Sequence, residues 1–222
     1  KALMYVINLR LIFLFAYLAV SYVYFLYIIY CVSKARLVAI ENKITAVEYL
    51  NSFNVVIYAY NNEQTIATLL NALKTQEYNK EKYNINVILD NCTDETARVL
   101  EINSGARLWR INSENGLRVG KAEAIRWFFD RIFINDKSDA FIFLNGDCTV
   151  RPDFLSKIND KINKTPVVSG ITLNKNLNSS FAGRTIGYRK IFLNTIVFLG
   201  RHIGGFLNYL NDDIFAIKKD TL

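Results

Sequence analysis

The sequence predicts an α/β fold in which a mostly parallel β-sheet is flanked by helices and preceded by one transmembrane helix. Three observations predict it. Short apolar runs typical of buried strands alternate with segments whose apolar residues recur at helical spacing, as in βαβ units. A polar loop follows each of the first four predicted strands, at the edge where open parallel sheets bind ligands. An uncharged stretch of about 22 residues precedes these elements and is long enough to cross a bilayer as a helix.

The uncharged stretch is Leu11–Val32, which follows Arg10 and is itself followed by further basic residues. Aromatic residues are frequent toward its ends, as at membrane interfaces. A buried core helix is the structural alternative, whereas a signal peptide would have a shorter apolar region and a small-residue cleavage site. We therefore predict an N-terminal transmembrane helix over residues 1–33 and a juxtamembrane connector over residues 34–52.

The remaining composition argues against a nucleic-acid-binding protein and against a disulfide-rich secreted one. The formal net charge of +7 arises partly from basic residues around the apolar stretch, so the rest of the chain has only a mild basic excess. The three cysteines, Cys31, Cys92 and Cys148, are odd in number and far apart. They match neither a zinc spacing nor a disulfide framework, and they suit a reducing cytosol.

From residue 53 onward the pattern alternates between strands and helices. The predicted strands are Phe53–Ala59, Asn84–Leu89, Ala106–Ile111, Ala140–Leu144 and Ile214–Ile217. Apolar residues at helical spacing follow the first and third strands, at Ile66–Leu73 and Ala122–Ile134. We predict that Asn61-Asn62 caps the first of these helices and that Thr93 caps a helix after the second strand.

The loops after the first four strands carry groups suited to a nucleotide, and in a parallel sheet these loops converge on one edge. Tyr60 can stack on a base, and Glu63 and Asp90 can accept hydrogen bonds from a base or a ribose. Lys121 can reach a phosphate, and Asp147 can bind a divalent metal that bridges a diphosphate. Structural alternatives are packing for Tyr60, turn formation for Asp90, a solvated helix start for Lys121 and a plain strand exit for Asp147.

Four motifs in order along the chain carry a resemblance to a known family. They are Ile57–Glu63 (IYAYNNE), Leu89–Thr96 (LDNCTDET), Gly120–Ala124 (GKAEA) and Asn145–Asp147 (NGD), the last followed by Pro152. In this order and spacing the chain resembles the family 2 glycosyltransferases, in the subgroup with a D-N-C-T-D motif. The resemblance implies a GT-A fold, with a Rossmann-like, mostly parallel sheet flanked by helices, over residues 53–222. It also implies that this domain is C-terminally incomplete.

The resemblance further implies an activity, the inverting transfer of a sugar from a nucleoside diphosphate sugar to a glycan or lipid-linked acceptor. A UDP-sugar is the expected donor, Mg²⁺ or Mn²⁺ is the expected cofactor, and no nucleic acid is expected as a partner. The enzyme would be anchored in the cell membrane by a single pass, with its domain facing the cytoplasm. The residues implied to bind the nucleotide sugar are Ala59, Tyr60, Glu63, Asp90, Lys121, Asn145 and Gly146. Asp147 is the implied metal ligand, and Asp147 and Lys121 are the implied catalytic residues.

Departures from the family pattern limit these expectations. Asn145 replaces the first Asp of the D-x-D motif, so metal affinity should fall, and Tyr58 replaces the usual Pro, which should cost rigidity more than chemistry. The family's general base, in an E-D or T-E-D motif, and its Q-x-x-R-W motif are not found in the sequence. Asp212-Asp213 is an alternative candidate for the base but is more typical of surface-turn acids. His202 can contact an acceptor or a phosphate but is more typical of a structural residue. A non-catalytic glycosyltransferase-like membrane subunit that binds nucleotide or a partner protein is therefore the alternative. A third alternative, a nucleotidyltransferase on a related fold, is weaker. It would need a Gly-rich loop followed by a basic residue after the first strand, and Phe53–Asn62 contains none.

Overall fold

The computed structural model describes residues 2–38, 49–103, 105–170, 172, 180–193 and 212–222. The chain divides into two compact units, one of Lys1–Lys43 with Ile171–Tyr209 and one of Ile44–Gly170 with Leu210–Leu222. His202 and most of the predicted connector over residues 34–52 lie outside the described residues.

The elements closely follow the sequence pattern. The described helices are α1 (Ala2–Val38), α2 (Ile66–Lys74), α3 (Thr96–Ile102), α4 (Lys121–Ile132), α5 (Phe154–Ile162) and α6 (Phe181–Ile191). The described strands are β1 (Phe53–Ala59), β2 (Tyr83–Asp90), β3 (Arg107–Ile111), β4 (Ala140–Asn145), β5 (Val167–Ser169) and β6 (Ile214–Lys218). Each predicted strand agrees with the structure to within one residue at either end.

Helix α1 contains a stretch, Arg10–Tyr30, that is long and apolar enough to cross a membrane, with a mean hydropathy of 2.2 over 21 residues. None of this stretch is buried inside the protein, so it is not a core helix. The assignment rests on length and composition alone, and a signal sequence near the N-terminus meets the same criteria.

Two predicted helix caps are wrong. Thr93 does not cap α3, which begins at Thr96, and the N–H of Thr96 donates instead to Asp94 Oδ1 at 3.0 Å. The side chains of Asn61 and Asn62 do not cap α2, because a turn separates them from the helix. Only the main-chain carbonyl of Asn62 accepts from Ile66 N, at 3.0 Å. The predicted side chains join neighbouring loops instead.

The strands form one sheet in the order β3-β2-β1-β4-β6-β5. Strand β1 pairs in parallel with β2 and β4, β2 pairs in parallel with β3, and β6 runs antiparallel to both β4 and β5. The register pairs Ala59 with Leu89 and Tyr58 with Asn145. The carboxyl ends of β1, β2 and β4 therefore reach the same edge, where the predicted loops meet.

The central strand β1 is buried along its whole length. Its alternate side chains enter two core clusters on opposite faces of the sheet. Val55 and Ile57 pack in one cluster with leucines of α2, and Val56 and Tyr58 pack in the other with Phe128 of α4. Because helices cover both faces, the strand is apolar on both faces rather than alternating, apart from the buried and hydrogen-bonded Asn54. The same burial fixes the direction of the loop that leaves β1 at Ala59.

Candidate functional site

The carboxyl ends of β1, β2 and β4 and the start of α4 meet at one edge of the second compact unit. Hydrogen bonds link Tyr58 of β1 to Asp90 of β2, Asp90 to Gly120 before α4, and Gly146 after β4 back to Tyr58. The predicted site residues are therefore parts of one bonded region.

Asp90 ends β2 and is completely buried. Its Oδ1 accepts from Val119 N at 3.0 Å and from Asn91 Nδ2 at 3.0 Å. Its Oδ2 accepts from the Tyr58 hydroxyl at 2.8 Å and from Gly120 N at 2.9 Å. Burial raises the pKa of this carboxyl, but the hydrogen bonds together outweigh burial and hold the pKa below its ordinary value. Asp90 is thus an ionised anchor for the loop before α4, and its contact with a nucleoside stays a prediction.

Tyr58 connects this anchor to a cation. Its hydroxyl, which donates to Asp90, accepts from Arg118 Nε at 2.7 Å. The guanidinium carbon of Arg118 lies 4.9 Å from the centre of the Tyr60 ring and 5.5 Å from that of Tyr58, within cation–π range. Burial raises the pKa of Tyr58 to about 12, so the hydroxyl keeps its proton at neutral pH. The expectation that Tyr58 in place of Pro affects rigidity more than chemistry stays a prediction.

The loops after β1 and β2 are bonded to each other. Asn61 Oδ1 accepts from Thr93 N at 2.9 Å. Glu63 N donates to Asp94 Oδ2 at 3.1 Å, and Glu63 Oε2 in turn accepts from Glu95 N at 3.0 Å. The predicted nucleoside ligand Glu63 therefore also joins the two loops.

Gly146 lies where the ends of β1 and β4 approach each other most closely. Its N–H donates to the Tyr58 carbonyl at 2.8 Å, and its carbonyl accepts from Thr65 Oγ1 at 2.9 Å. A Cβ atom at this position would lie 2.7 Å from Asn62 Oδ1 and 3.2 Å from the Tyr58 carbonyl oxygen. Close packing of the first loop against β4 thus requires glycine here.

Lys121 begins α4 directly after Gly120, whose φ of 94° favours glycine. The Lys121 ammonium contacts the carbonyl oxygen of Asp212. Burial lowers the pKa of Lys121, against the raising effect of the carboxylates of Asp212, Asp213 and Asp147. A half-buried cation therefore lies among the acids at the end of β4 and the start of β6.

Asn145 ends β4, and the exposed Asp147 follows two positions later. Asn145 Nδ2 donates to Asp213 Oδ1 at 3.0 Å. Asn145 Oδ1 is buried and has no hydrogen-bond partner among the residues that the structure describes. The amide therefore has one hydrogen-bonded end and one buried end with no partner among the described residues.

Asn145 and Asp147 fit a divalent metal as a partial ligand set. An unsatisfied amide oxygen and a nearby carboxylate are the hard oxygen ligands that Mg²⁺ and similar cations take. In the described part of the chain there is no group of three or more His, Cys, Asp or Glu side chains that could hold a metal ion. Further ligands would have to come from the substrate, as in Mg²⁺ sites that combine one or two carboxylates with substrate phosphates.

All the sequence-predicted site residues lie at this edge of the sheet. They are Ala59, Tyr60, Glu63, Asp90, Lys121, Asn145, Gly146 and Asp147. Their roles as ligands stay predictions. Sequence reasoning missed Arg118, and it interpreted Asp213 as a surface-turn acid. The available signal for Arg118 was a basic residue two positions before Gly120, and for Asp213 it was a position directly before a strand.

Comparison with known proteins bears on the family. The sequence matches the model of Glycosyl transferase family 2 over residues 54–211, more than half of the chain. No curated protein matches the sequence significantly. Among solved structures, the mannosyltransferase PcManGT from Pyrobaculum calidifontis, in complex with GDP-Man and Mn²⁺, has a similar fold. The TM-score is 0.60 at 16% identity, over 91% of this chain and 55% of that chain.

Two further solved structures show weaker similarity. Glucosyl-3-phosphoglycerate synthase from Mycobacterium tuberculosis, in complex with Mn²⁺, UDP and glucosyl-3-phosphoglycerate, has a TM-score of 0.49 at 18% identity, over 81% of this chain and 64% of that chain. S. aureus TarS 1–349 has a TM-score of 0.45 at 20% identity, over 53% and 34%. The chain spans less than two thirds of the length of each of the three structures. The family match covers the carboxyl ends of β1, β2 and β4, and the chain belongs to glycosyl transferase family 2.

Proposed function

We propose that this chain is a membrane-anchored, inverting, divalent-metal-dependent glycosyltransferase. It transfers a sugar from a nucleoside diphosphate sugar to a glycan or lipid-linked acceptor. The observation that carries the proposal is the bonded edge of the sheet, where Asp90, Lys121 and Asn145 meet in a family 2 chain. In this proposal residues 1–33 cross the cell membrane once, and residues 34–52 connect them to the transferase domain. That domain, residues 53–222, lies on the cytoplasmic side.

The nucleoside end of the donor is assigned to the loops after β1 and β2. Tyr60 offers an aromatic ring that is partly open to solvent, and Arg118 lies over that ring as a cation. Asp90 acts here by holding the backbone of Val119 and Gly120 in place. A nucleotide-sugar donor is supported by the fold shared with PcManGT, which was solved in complex with GDP-Man and Mn²⁺.

The diphosphate end is assigned to the region between α4 and β4. Departure of the nucleoside diphosphate develops negative charge, and preorganised cations and dipoles lower the barrier by stabilising it. Lys121 supplies a half-buried ammonium group for this purpose. A divalent cation held by Asp147 and Asn145 Oδ1 would supply further positive charge. Deprotonation of the acceptor hydroxyl needs a general base, and we assign that role to none of the described residues.

Calorimetric titration of the full chain in lipid nanodiscs with UDP, GDP and CDP, with and without Mn²⁺, tests the proposal. We expect tight binding of one nucleotide, dependence on Mn²⁺, and loss of binding in Asp147→Ala. The matched control is Asp130→Ala, which removes an exposed acid from α4 and should leave binding unchanged. Binding that ignores both Mn²⁺ and Asp147 would favour the non-catalytic subunit. A folded sample that binds no nucleotide would contradict the donor-site assignment.

A further inference from the structure

We infer that Asp213 is a positioning residue for Asn145: its carboxylate holds the amide NH₂ group, so that the amide oxygen remains available to a divalent cation. Asp213 thereby returns to the site the negative charge that the sequence lacks at position 145. The inference rests on the proposed function, because it concerns the same metal site.

The sheet places the two residues opposite each other. In the antiparallel pairing of β4 with β6, Leu144 pairs with Ile214, so Asn145 and Asp213 are the next opposing pair. The N–H of Asn145 donates to the main-chain carbonyl of Asp213 at 3.2 Å. The backbone ladder therefore fixes the main chain of Asp213 next to Asn145, although 68 residues separate the two in sequence.

The side-chain bond then decides which way the amide faces. A carboxylate only accepts hydrogen bonds, whereas an amide both donates and accepts. Asn145 Nδ2 must therefore be the atom that faces Asp213 Oδ1, at 3.0 Å. Asn145 Oδ1 is left buried, with no hydrogen-bond partner in the described part of the chain. A buried carbonyl oxygen in that state is unfavourable until a ligand satisfies it.

The charges of the nearby carboxylates are consistent with a positioning role for Asp213. Asp147 and Asp213 together carry the two negative charges that a D-x-D motif would carry on one strand. Both raise the pKa of Lys121, as the neighbouring Asp212 also does, so these carboxylates act on the same small region. A divalent cation at this site would interact directly with the carboxylate of Asp147. It would interact with the carboxylate of Asp213 through the amide of Asn145. Residues that orient metal ligands in this way commonly change metal affinity by about 10- to 100-fold.

Titration of the full chain in nanodiscs with Mn²⁺, in the presence of whichever of UDP, GDP and CDP it binds, followed by electron paramagnetic resonance of free Mn²⁺, tests the inference. Asp213→Ala should weaken Mn²⁺ binding by about 10- to 100-fold. Asp213→Asn can still accept from the Asn145 amide but carries no charge. Its Mn²⁺ affinity should therefore lie between that of the parent chain and that of Asp213→Ala. Asp220→Ala removes an exposed acid from the same compact unit and should change the affinity less than about threefold. Thermal unfolding of each variant establishes that it is folded.

An exchange of the carboxylate's position separates positioning from general destabilisation. The double variant Asn145→Asp with Asp213→Ala moves the carboxylate from the residue before β6 to the last residue of β4. We expect it to recover Mn²⁺ affinity to within about threefold of the parent chain, which repair of a purely structural defect would not do. Equal Mn²⁺ affinity in the parent chain and in Asp213→Ala, or failure of the exchange to restore it, would overturn the inference while leaving the metal site in place. A parent chain that binds UDP, GDP or CDP but no Mn²⁺ would instead overturn the metal dependence in the proposed function, and the inference with it.

Discussion

The hydroxyl group of Tyr58 donates a hydrogen bond to Asp90 Oδ2 at 2.8 Å, across the buried ends of two neighbouring parallel strands. The same hydroxyl accepts from Arg118 Nε. One oxygen atom therefore links a buried carboxylate to a surface guanidinium. Proline, which the resembled family usually has at this position, offers no such group, so in this chain the Tyr58 hydroxyl supports the loop before α4 through Asp90 and Arg118.

Replacement of Tyr58 by Phe removes this link while keeping the ring. We expect the free energy of unfolding to fall by about 1–3 kcal/mol, because Asp90 stays buried and loses one of its donors. Thermal unfolding of the full chain, followed by tryptophan fluorescence, measures the change. Tyr60→Phe, at the half-exposed end of the same strand, is the matched control and should change stability by less than about 0.5 kcal/mol. Equal effects of the two substitutions would show that the Tyr58 bond contributes little.

Replacement of Arg118 by Ala should weaken nucleotide binding and leave the fold intact. The side chain is exposed and lies over Tyr60, so its loss removes a cation from the assigned donor pocket. We expect about tenfold weaker binding of the nucleotide identified by calorimetry. Arg126→Ala is the control, since Arg126 is an exposed residue of α4 that pairs with Glu123 at 2.6 Å. If both variants bind the nucleotide like the parent, Arg118 does not contact it.

Replacement of Gly146 by Ala should destabilise the first loop. The new Cβ would lie 2.7 Å from Asn62 Oδ1 and 3.2 Å from the Tyr58 carbonyl, and such overpacking costs about 1–3 kcal/mol. Thermal unfolding measures the loss. Removing the obstructing side chain as well, in the double variant with Asn62→Ala, should cost less than the sum of the two single changes. Strict additivity would mean that the main-chain carbonyl of Tyr58, rather than Asn62, is the obstacle.

Acid should reveal the contribution of Asp90. Its hydrogen bonds hold the pKa of the folded state below the ordinary value, so the ionised carboxylate stabilises the folded chain. That contribution is complete above about pH 4, the pKa of an unperturbed Asp, and is lost as the pH falls through the lower folded-state pKa.

The comparison of the parent chain with Asp90→Asn, by thermal unfolding between about pH 3 and pH 7, measures this contribution. The difference in stability should be constant near neutrality and should shrink below about pH 4. Asp130→Asn, at an exposed position on α4, supplies the background pH dependence. A difference that does not change with pH would mean that the carboxylate charge is not what stabilises the loop.

The sequence was informative where burial imposes a pattern. Phe53–Ala59 and Ala140–Leu144 are covered on both faces, so apolar residues dominate them, and their ends located the loops that carry Tyr60 and Asp147. The fold class and the edge of the sheet could therefore be predicted. Helix starts could not, because asparagine and threonine side chains bond equally well to neighbouring loops. Asn61 adopts a φ of 52° and accepts from Thr93 N, a choice that local sequence does not encode.

Contacts between distant parts of the chain were also beyond the reach of the sequence. Asp213 bonds to Asn145 only because β6 runs antiparallel to β4 in one particular register. The sequence indicated a short strand after Asp213 but neither its partner nor its direction. Likewise, the sequence showed that Tyr58 replaces the usual Pro but did not predict its hydrogen bond, because the partner Arg118 lies 60 positions away in a loop.

The bonds between the loops after β1 and β2 have a consequence for protein engineering. Each loop supplies both donors and acceptors to the other, through Asn61 with Thr93 and through Glu63 with Asp94 and Glu95. A chimera that takes only one of these loops from another family member would leave the other with mismatched partners. If these loops bind the sugar donor as proposed, we expect that a change of sugar-donor specificity requires residues 61–65 and 92–96 to be replaced together.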